Sequence, residues 1–170
     1  MILEEIRLKN FRNYENIIYK FTPGLIFIIG ENGKGKTNLI EAIGFFSYAK
    51  SFRNNKEIEL IKWGEKYFHI SGSFKEKKNI KIEIGYEKEP ITKRKIKIDG
   101  VLVKKRSELI GEIFSVIFSP SDIRIIEDGP VERRRYVDSF ISMADKFYMQ
   151  SLLEYNKILK QRNALLRQKE

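Results

Sequence analysis

The segment Gly30-Glu31-Asn32-Gly33-Lys34-Gly35-Lys36-Thr37 fits the phosphate-binding loop pattern G-x-x-x-x-G-K-[ST]. Its residue types suit one chemistry, the cradling of a polyphosphate. Gly30, Gly33 and Gly35 leave the backbone free to take conformations that side chains forbid, so successive N–H groups can turn toward phosphate oxygens. Lys36 is placed to reach the β- and γ-phosphates, and the Thr37 hydroxyl is the expected magnesium ligand. A plain glycine turn has no use for Lys-Thr directly after its last glycine. The loop reads as a nucleoside triphosphate site.

Such a loop works between a strand and a helix. The preceding run Leu25-Ile26-Phe27-Ile28-Ile29 is apolar and β-branched and reads as a fully buried strand. The following Asn38-Leu39-Ile40-Glu41-Ala42-Ile43 places residues 39, 40 and 43 on one helical face, and this helix should run to about Tyr48. Its unpaired first-turn N–H groups and the positive end of its dipole add to the anion site.

Around this unit the chain reads as follows. Leu3, Ile6 and Leu8, then residues 14–21, are two opening strands joined by Asn10-Phe11-Arg12-Asn13, and Thr22-Pro23-Gly24 turns into the buried strand. A polar connector starts at Ser51-Phe52-Arg53-Asn54-Asn55 and ends near Trp63-Gly64. From residue 67 to 103 the period changes to two, with Phe68, Ile70 and Phe74, then Ile80, Ile82, Ile84 and Tyr86, then Ile96 and Ile98 alternating. Asp99-Gly100 is a two-residue hairpin signal inside this antiparallel meander. His69 falls on the polar face and reads as incidental, while Trp63 and Tyr67 read as core or rim. Ile113-Phe114-Ser115-Val116-Ile117-Phe118 is expected to be a second buried strand. Gly129-Pro130 marks a helix start, and Tyr148, Leu152, Tyr155, Leu159 and Leu166 form a heptad-like seam in a helical tail that stops in mid-pattern, as a cut chain would.

Composition narrows the class. A chain of 170 residues with 42% hydrophobic content can build a core. Zero Cys and one His exclude disulfides and the usual zinc sets and point to a reducing, cytoplasmic setting. No stretch approaches a membrane span, and the first residues lack a signal-peptide layout. The net charge of +10, from 33 basic and 23 acidic residues, favours a polyanionic partner, nucleic acid first. The basic clusters are Lys75/Lys77/Lys78, Lys93-Arg94-Lys95, Lys104-Lys105-Arg106, Arg133-Arg134-Arg135 and Lys160/Arg162/Arg167. For the meander lysines, a DNA-facing surface and a merely solvated face are equally good readings. In a helix the three consecutive arginines spread too widely to face one ligand, so part of the run should pair with nearby carboxylates.

Leu8-Lys9-Asn10-Phe11-Arg12-Asn13-Tyr14, followed by the phosphate loop and Asn38-Leu39-Ile40-Glu41-Ala42-Ile43, resembles the start of the ABC-type heads of SMC-like DNA-repair ATPases. Lys50-Ser51-Phe52-Arg53, Phe118-Ser119-Pro120-Ser121-Asp122 and Gly129-Pro130-Val131-Glu132-Arg133-Arg134-Arg135 narrow the resemblance to the RecF family of bacterial recombination mediators. Tyr155-Asn156-Lys157-Ile158-Leu159-Lys160 is similar to that family's entry into its lid or coiled region. The resemblance implies an α/β P-loop NTPase fold, an ABC-type ATPase head lobe over residues 1–130 with an antiparallel β-meander, and a helical segment over 131–170 leading to the lid. It implies ATP and Mg2+ held by Gly30, Glu31, Asn32, Gly33, Lys34, Gly35, Lys36, Thr37 and Asn38, with Lys36 stabilising phosphate and Thr37 on the metal. Arg12 and Asn13 match an arginine loop that approaches the nucleotide, and Ser119, Pro120 and Asp122 fall at the Q-loop, where no Gln stands. Lys93, Arg94, Lys95, Lys104, Lys105 and Arg106 are the candidate DNA contacts.

The resemblance further implies an ATP-dependent homodimer on gapped DNA, at single-strand–double-strand junctions. Its partners would be RecR and RecO, and its task the loading of RecA in DNA repair, replication and the SOS response. Two parts of a hydrolytic site are missing from the sequence: an acidic pair ending an apolar strand, and a Ser-Gly-rich signature. Ile70-Ser71-Gly72-Ser73 reads as sheet and Ile96-Lys97-Ile98-Asp99-Gly100 as a hairpin. The chain therefore reads as one half of a head that binds ATP without efficient hydrolysis, in a family of weak DNA-stimulated ATPases. The alternative is a stand-alone small P-loop kinase or nucleotide hydrolase, with residues 133–135 as lid arginines.

Overall fold

The computed structural model describes residues 1–53, 56–76, 78–127 and 129–167. Asn54 and Asn55 of the expected connector and Lys77 of a lysine cluster lie outside them. The chain divides into two compact units, Met1–Ser115 and Val116–Glu170.

The first unit is an antiparallel sheet with a helix on one face. Its strands are β1 (Ile2–Phe11), β2 (Tyr14–Lys20), β3 (Tyr67–Lys75), β4 (Asn79–Glu87), β5 (Lys93–Ile98) and β6 (Val101–Val103), in the order β2-β1-β3-β4-β5-β6. The expected opening hairpin and meander are both present. At the β5–β6 turn Asp99 and Gly100 both have positive φ, 49° and 81°, as a two-residue turn with matching twist requires. The Asp99 carboxylate also accepts the Lys81 N–H at 2.7 Å, tying the turn to β4.

Alternation sorts the side chains. Leu8, Ile70, Ile84 and Ile96 stand in one register row on the inner face, and Lys9, His69, Gly85 and Lys95 stand in the adjacent row on the outer face. The inner face is covered by α1 (Lys36–Tyr48), whose Leu39, Ala42, Phe45 and Phe46 are buried in the core. The helix is thus rotated from the expected face: Ile40 is exposed and Ile43 only half-buried. The sheet supplies the reason. Phe45 and Phe46 pack edge-on against Phe68 and Phe74 at 6.2 and 5.3 Å, and these rings outweigh the two isoleucines. Gly72 permits this approach, because a Cβ there would lie 2.7–2.9 Å from the Phe74 and Phe46 rings.

Two expected buried strands do not form. Residues 25–29 pair with no strand, and Phe27 and Ile29 are 74% and 90% exposed. Of residues 113–118, Ile113 is buried and makes a single bridge to Ile110, whereas Phe114, Val116 and Phe118 are exposed. Both runs have the composition of a central strand, but among the described residues no strand lies beside them to satisfy their backbone. Trp63 is likewise fully exposed rather than core or rim, at 99%. Tyr67 is half-buried, at the rim as expected.

The second unit is helical: α2 (Arg124–Glu127), α3 (Pro130–Ala144) and α4 (Lys146–Arg167), preceded by a turn at Pro120–Ile123. Gly129 caps α3 and Pro130 occupies its first turn. Asp145 ends α3 and starts α4, its carboxylate accepting the N–H groups of Phe147 and Tyr148 at 2.8 and 3.1 Å. The two helices pack together through Tyr148, whose hydroxyl donates to Asp138 at 2.6 Å, and through buried Met149 and Ser142. Along the expected seam Leu152 and Leu159 are half-buried, while Tyr155 and Leu166 stay exposed. Arg135 pairs with Glu132 one helical turn away, as expected for part of the arginine run.

Candidate nucleotide site

The loop at residues 30–37 is held by the β1–β2 turn. Gly33 and Gly35 have φ of 83° and 102°, conformations that L side chains rarely adopt. Gly35 is also closed to any side chain, since a Cβ would lie 2.6 Å from the Asn13 amide. Asn13 donates to the Lys34 carbonyl at 3.2 Å and accepts from Asn38 at 2.9 Å, while the Tyr14 hydroxyl donates to the Gly35 carbonyl at 3.1 Å. Asn13, Tyr14 and Asn38 thus brace both ends of the last loop turn. Asn13, expected to approach the nucleotide, lies against the last turn of the loop.

Lys36 folds across the loop, its ammonium donating to the carbonyls of Gly30 and Glu31, the latter at 2.7 Å. A positive charge is therefore pinned over the start of the loop while α1 begins at its end. Leu39 N–H closes the first helical bond to the Gly35 carbonyl at 3.0 Å. Exposed Lys34 and Glu31 form a weak surface pair at 3.6 Å. Loop residues with positive φ, a lysine over the loop and a hydroxyl on the first turn make a donor set suited to a polyphosphate with a divalent cation.

Behind α1 lies a feature that sequence reasoning missed. Glu41 is fully buried, and Arg12 grips it with two hydrogen bonds, Nε to Oε2 at 2.9 Å and Nη2 to Oε1 at 2.8 Å. Ser51 donates to the same carboxylate, and Arg53 stands 3.7 Å away while also donating to Asn38 at 3.2 Å. Arg12 donates its remaining amino group to the Glu59 carbonyl at 2.9 Å. Arg12 is itself in the left-handed region, with φ of 55°, as is Asn10 with 52°. A desolvated carboxylate is tolerated because each of its oxygens is hydrogen-bonded and its charge is paired. Arg12 thus ties the phosphate-loop helix to the β1–β2 turn and to the Glu59 carbonyl. The signal for Glu41 was present: it is the one acid in the helix and sits between two core positions.

The six candidate DNA contacts separate into two groups. Lys93 and Lys95 are exposed on the outer face of the sheet. Arg94 points the other way and pairs with Glu57, its Nε 2.9 Å from the carboxylate. Arg106 donates to the Tyr48 carbonyl at 3.4 Å. Burial draws both guanidinium pKa values below the ordinary arginine value. Lys104 and Lys105 remain exposed, with the Lys105 N–H donating to the Glu108 side chain. In the helical unit, Asp122 accepts the Ser119 N–H and hydroxyl, closing a local turn around Pro120. Among the described residues no group of acids and histidines could hold a metal, and no helix is long and apolar enough to cross a membrane.

Comparison with known proteins agrees with this layout. Residues 2–121 match the family described as the RecF/RecN/SMC N terminal domain. The DNA replication and repair protein RecF of Leptospira interrogans serovar Lai (strain 56601) is 48% identical over 168 residues, 98% of this chain and 46% of its own length. The chain thus spans about half the length of the curated relatives it matches. A solved structure of the recombination mediator RecF with ATP is 43% identical with a TM-score of 0.90, over 98% of this chain and 44% of that one. An SMC head bound to the C-winged helix domain of ScpA shares the fold at 23% identity and a TM-score of 0.61, over 81% of this chain and 50% of that one. By sequence and by fold, the chain belongs to the RecF/RecN/SMC N-terminal domain family.

Proposed function

We propose that this chain forms one face of an ATP site in a RecF-type DNA-repair head. The observation that carries the reading is the braced loop, in which Asn13, Tyr14 and Asn38 hold Gly35 in a conformation closed to side chains and Lys36 spans the loop. ATP is the nucleotide present in a RecF relative with nearly the same backbone. Residues 30–38 would hold the triphosphate, with Lys36 offsetting phosphate charge and Thr37 offering its hydroxyl to magnesium. When bound, the magnesium ion spreads the charge of the β- and γ-phosphates. Arg12 and Asn13 act on the nucleotide by fixing the loop and its helix.

The head lobe would cover residues 1–130 and the lid or coiled region would begin at 131, with residues 119–122 as the connecting Q-loop. The exposed runs at 25–29 and 114–118 would pair with strands from beyond this chain. Those strands would also carry the acid and signature needed for hydrolysis, so this part binds ATP without efficient turnover. In its cytoplasmic setting the ATP-bound protein would dimerise on gapped DNA and act with RecR and RecO to place RecA. Sedimentation velocity of the intact protein with and without ATP, in wild type and Lys36→Ala, tests this reading. Wild type should shift to dimer with ATP and the variant should not. An unchanged monomer–dimer ratio in wild type would defeat the gating idea.

A further inference from the structure

The outer face of the sheet carries a groove of about 460 Å3 whose floor is Gly85. Register places it: Lys9, His69, Gly85 and Lys95 stand side by side on β1, β3, β4 and β5, and Tyr67 and Lys93 flank them one step along. Gly85 leaves the middle of this row without a side chain. A Cβ there would meet nothing closer than 3.9 Å, so neither packing nor a turn demands glycine. Glycine within a strand often marks a place where something approaches the backbone closely.

Charge on this face is uneven. Toward one end two of the basic residues are paired, Arg7 with Glu5 at 2.6 Å and Lys81 with Glu83 at 3.3 Å, so that two acids stand among the cations there. Around the groove, among the described residues, Lys9, Lys93 and Lys95 form no ion pair, and Glu87 is the one acid in the lining. The ring of Tyr67 lies 5.7 Å beneath the Lys9 ammonium. His69 is half-buried, and burial lowers its imidazole pKa, so it presents a neutral ring. Unpaired lysines interleaved with planar rings over an open floor are what a single strand of nucleic acid requires: cations for phosphates and faces for bases. An acidic peptide would use the lysines but has no need of the rings or of the missing side chain.

We propose that this groove binds a single strand of nucleic acid, with phosphates on Lys9, Lys93 and Lys95 and a base seated over Gly85 against His69 and Tyr67. The proposal rests on the DNA-binding reading above and adds to it a location, separate from the phosphate loop. It gives Lys93 and Lys95 the task expected of them, brings in Lys9, and gives a role to His69 and Tyr67, which the sequence read as incidental and as core or rim.

The test uses the intact protein and a fluorescent oligo(dT) strand, read by anisotropy across a salt series. Lys9→Ala/Lys93→Ala/Lys95→Ala should flatten the slope of log affinity against log salt by about 2, at roughly 0.7 per lost phosphate contact. Gly85→Leu fills the floor without changing charge and should weaken binding about tenfold with the slope retained. Unchanged ATP affinity and melting temperature in both variants exclude misfolding. Bromodeoxyuridine in the strand should cross-link to Tyr67 or His69. Wild-type affinity in both variants, or displacement of the strand by polyglutamate with the same sensitivity to Gly85→Leu, would overturn the groove. If wild type binds no nucleic acid at all, the DNA reading itself falls with it.

Discussion

Strand β3 and the run at residues 25–29 are both built from β-branched, aliphatic and aromatic side chains, yet they meet opposite fates. The run at 25–29 is the more apolar, without a single polar residue, and it is the one left in solvent. β3 contains Ser71, Ser73 and His69 and is enclosed, because β1 and β4 pair with it on both edges and α1 covers it. Hydrophobicity therefore states a demand for partners and does not supply them. In β3 the demand is met by neighbouring stretches of the same chain. At 25–29 and 114–118 it is not met among the described residues, and most of the apolar side chains there stay exposed.

The comparison can be broken at either end. The largest effect is expected where pairing is tightest, at the buried carboxylate. Arg12→Ala leaves Glu41 desolvated without its main partner and should cost about 3–5 kcal/mol in chemical denaturation. A loss below about 1 kcal/mol would mean that Ser51 and Arg53 suffice to hold Glu41. Next come two like substitutions in unlike places. Phe68→Ala, which removes a ring packed on Phe11, Phe45 and Tyr86, should cost about 3–5 kcal/mol. Phe27→Ala in the same chain should change stability by no more than about 0.5 kcal/mol. In a protein of the relatives' full length, Phe27→Ala should approach the Phe68 cost; equal small effects in both settings would remove the case for missing partner strands.

Gly35→Ala is a smaller perturbation of the fold, expected at about 1–3 kcal/mol from its φ and its contact with Asn13. It should also weaken ATP binding about tenfold, read by calorimetry. The smallest effect concerns pH. Burial holds the His69 pKa below its ordinary 6.5, so the unfolded chain binds that proton more readily than the folded one. Stability from this group is complete above about pH 6.5 and declines as the pH falls below it. His69→Gln should flatten that part of the stability–pH curve.

What the sequence made legible was local. The phosphate loop, the alternation of β4 and β5 and the Asp99-Gly100 turn each carry their meaning within a few residues, and each appears in the structure. What it hid was relational. The α1 face depends on Phe45 and Phe46 meeting the rings of Phe68 and Phe74 on a distant strand, so Leu39, Ile40 and Ile43 alone misplaced it. The family pattern places Arg12 and Asn13 near the nucleotide but says nothing of what holds them, which is a set of hydrogen bonds to Glu41, Glu59, Lys34 and Asn38. Glu41 stood out as the one acid of its helix, but its partners were hidden because Arg12 and the Ser51–Arg53 stretch lie on either side of it in sequence.

The central claim is that residues 30–37 bind ATP and that Lys36 supplies charge to the phosphates without supporting the fold. Isothermal titration of Mg-ATP into the intact wild-type protein and into Lys36→Ala tests it most directly. The account predicts saturable one-site binding in wild type, weakened about a hundredfold or more in the variant, a loss of about 2.7 kcal/mol, with equal melting temperatures in the absence of nucleotide. Equal affinity in the two proteins would contradict it.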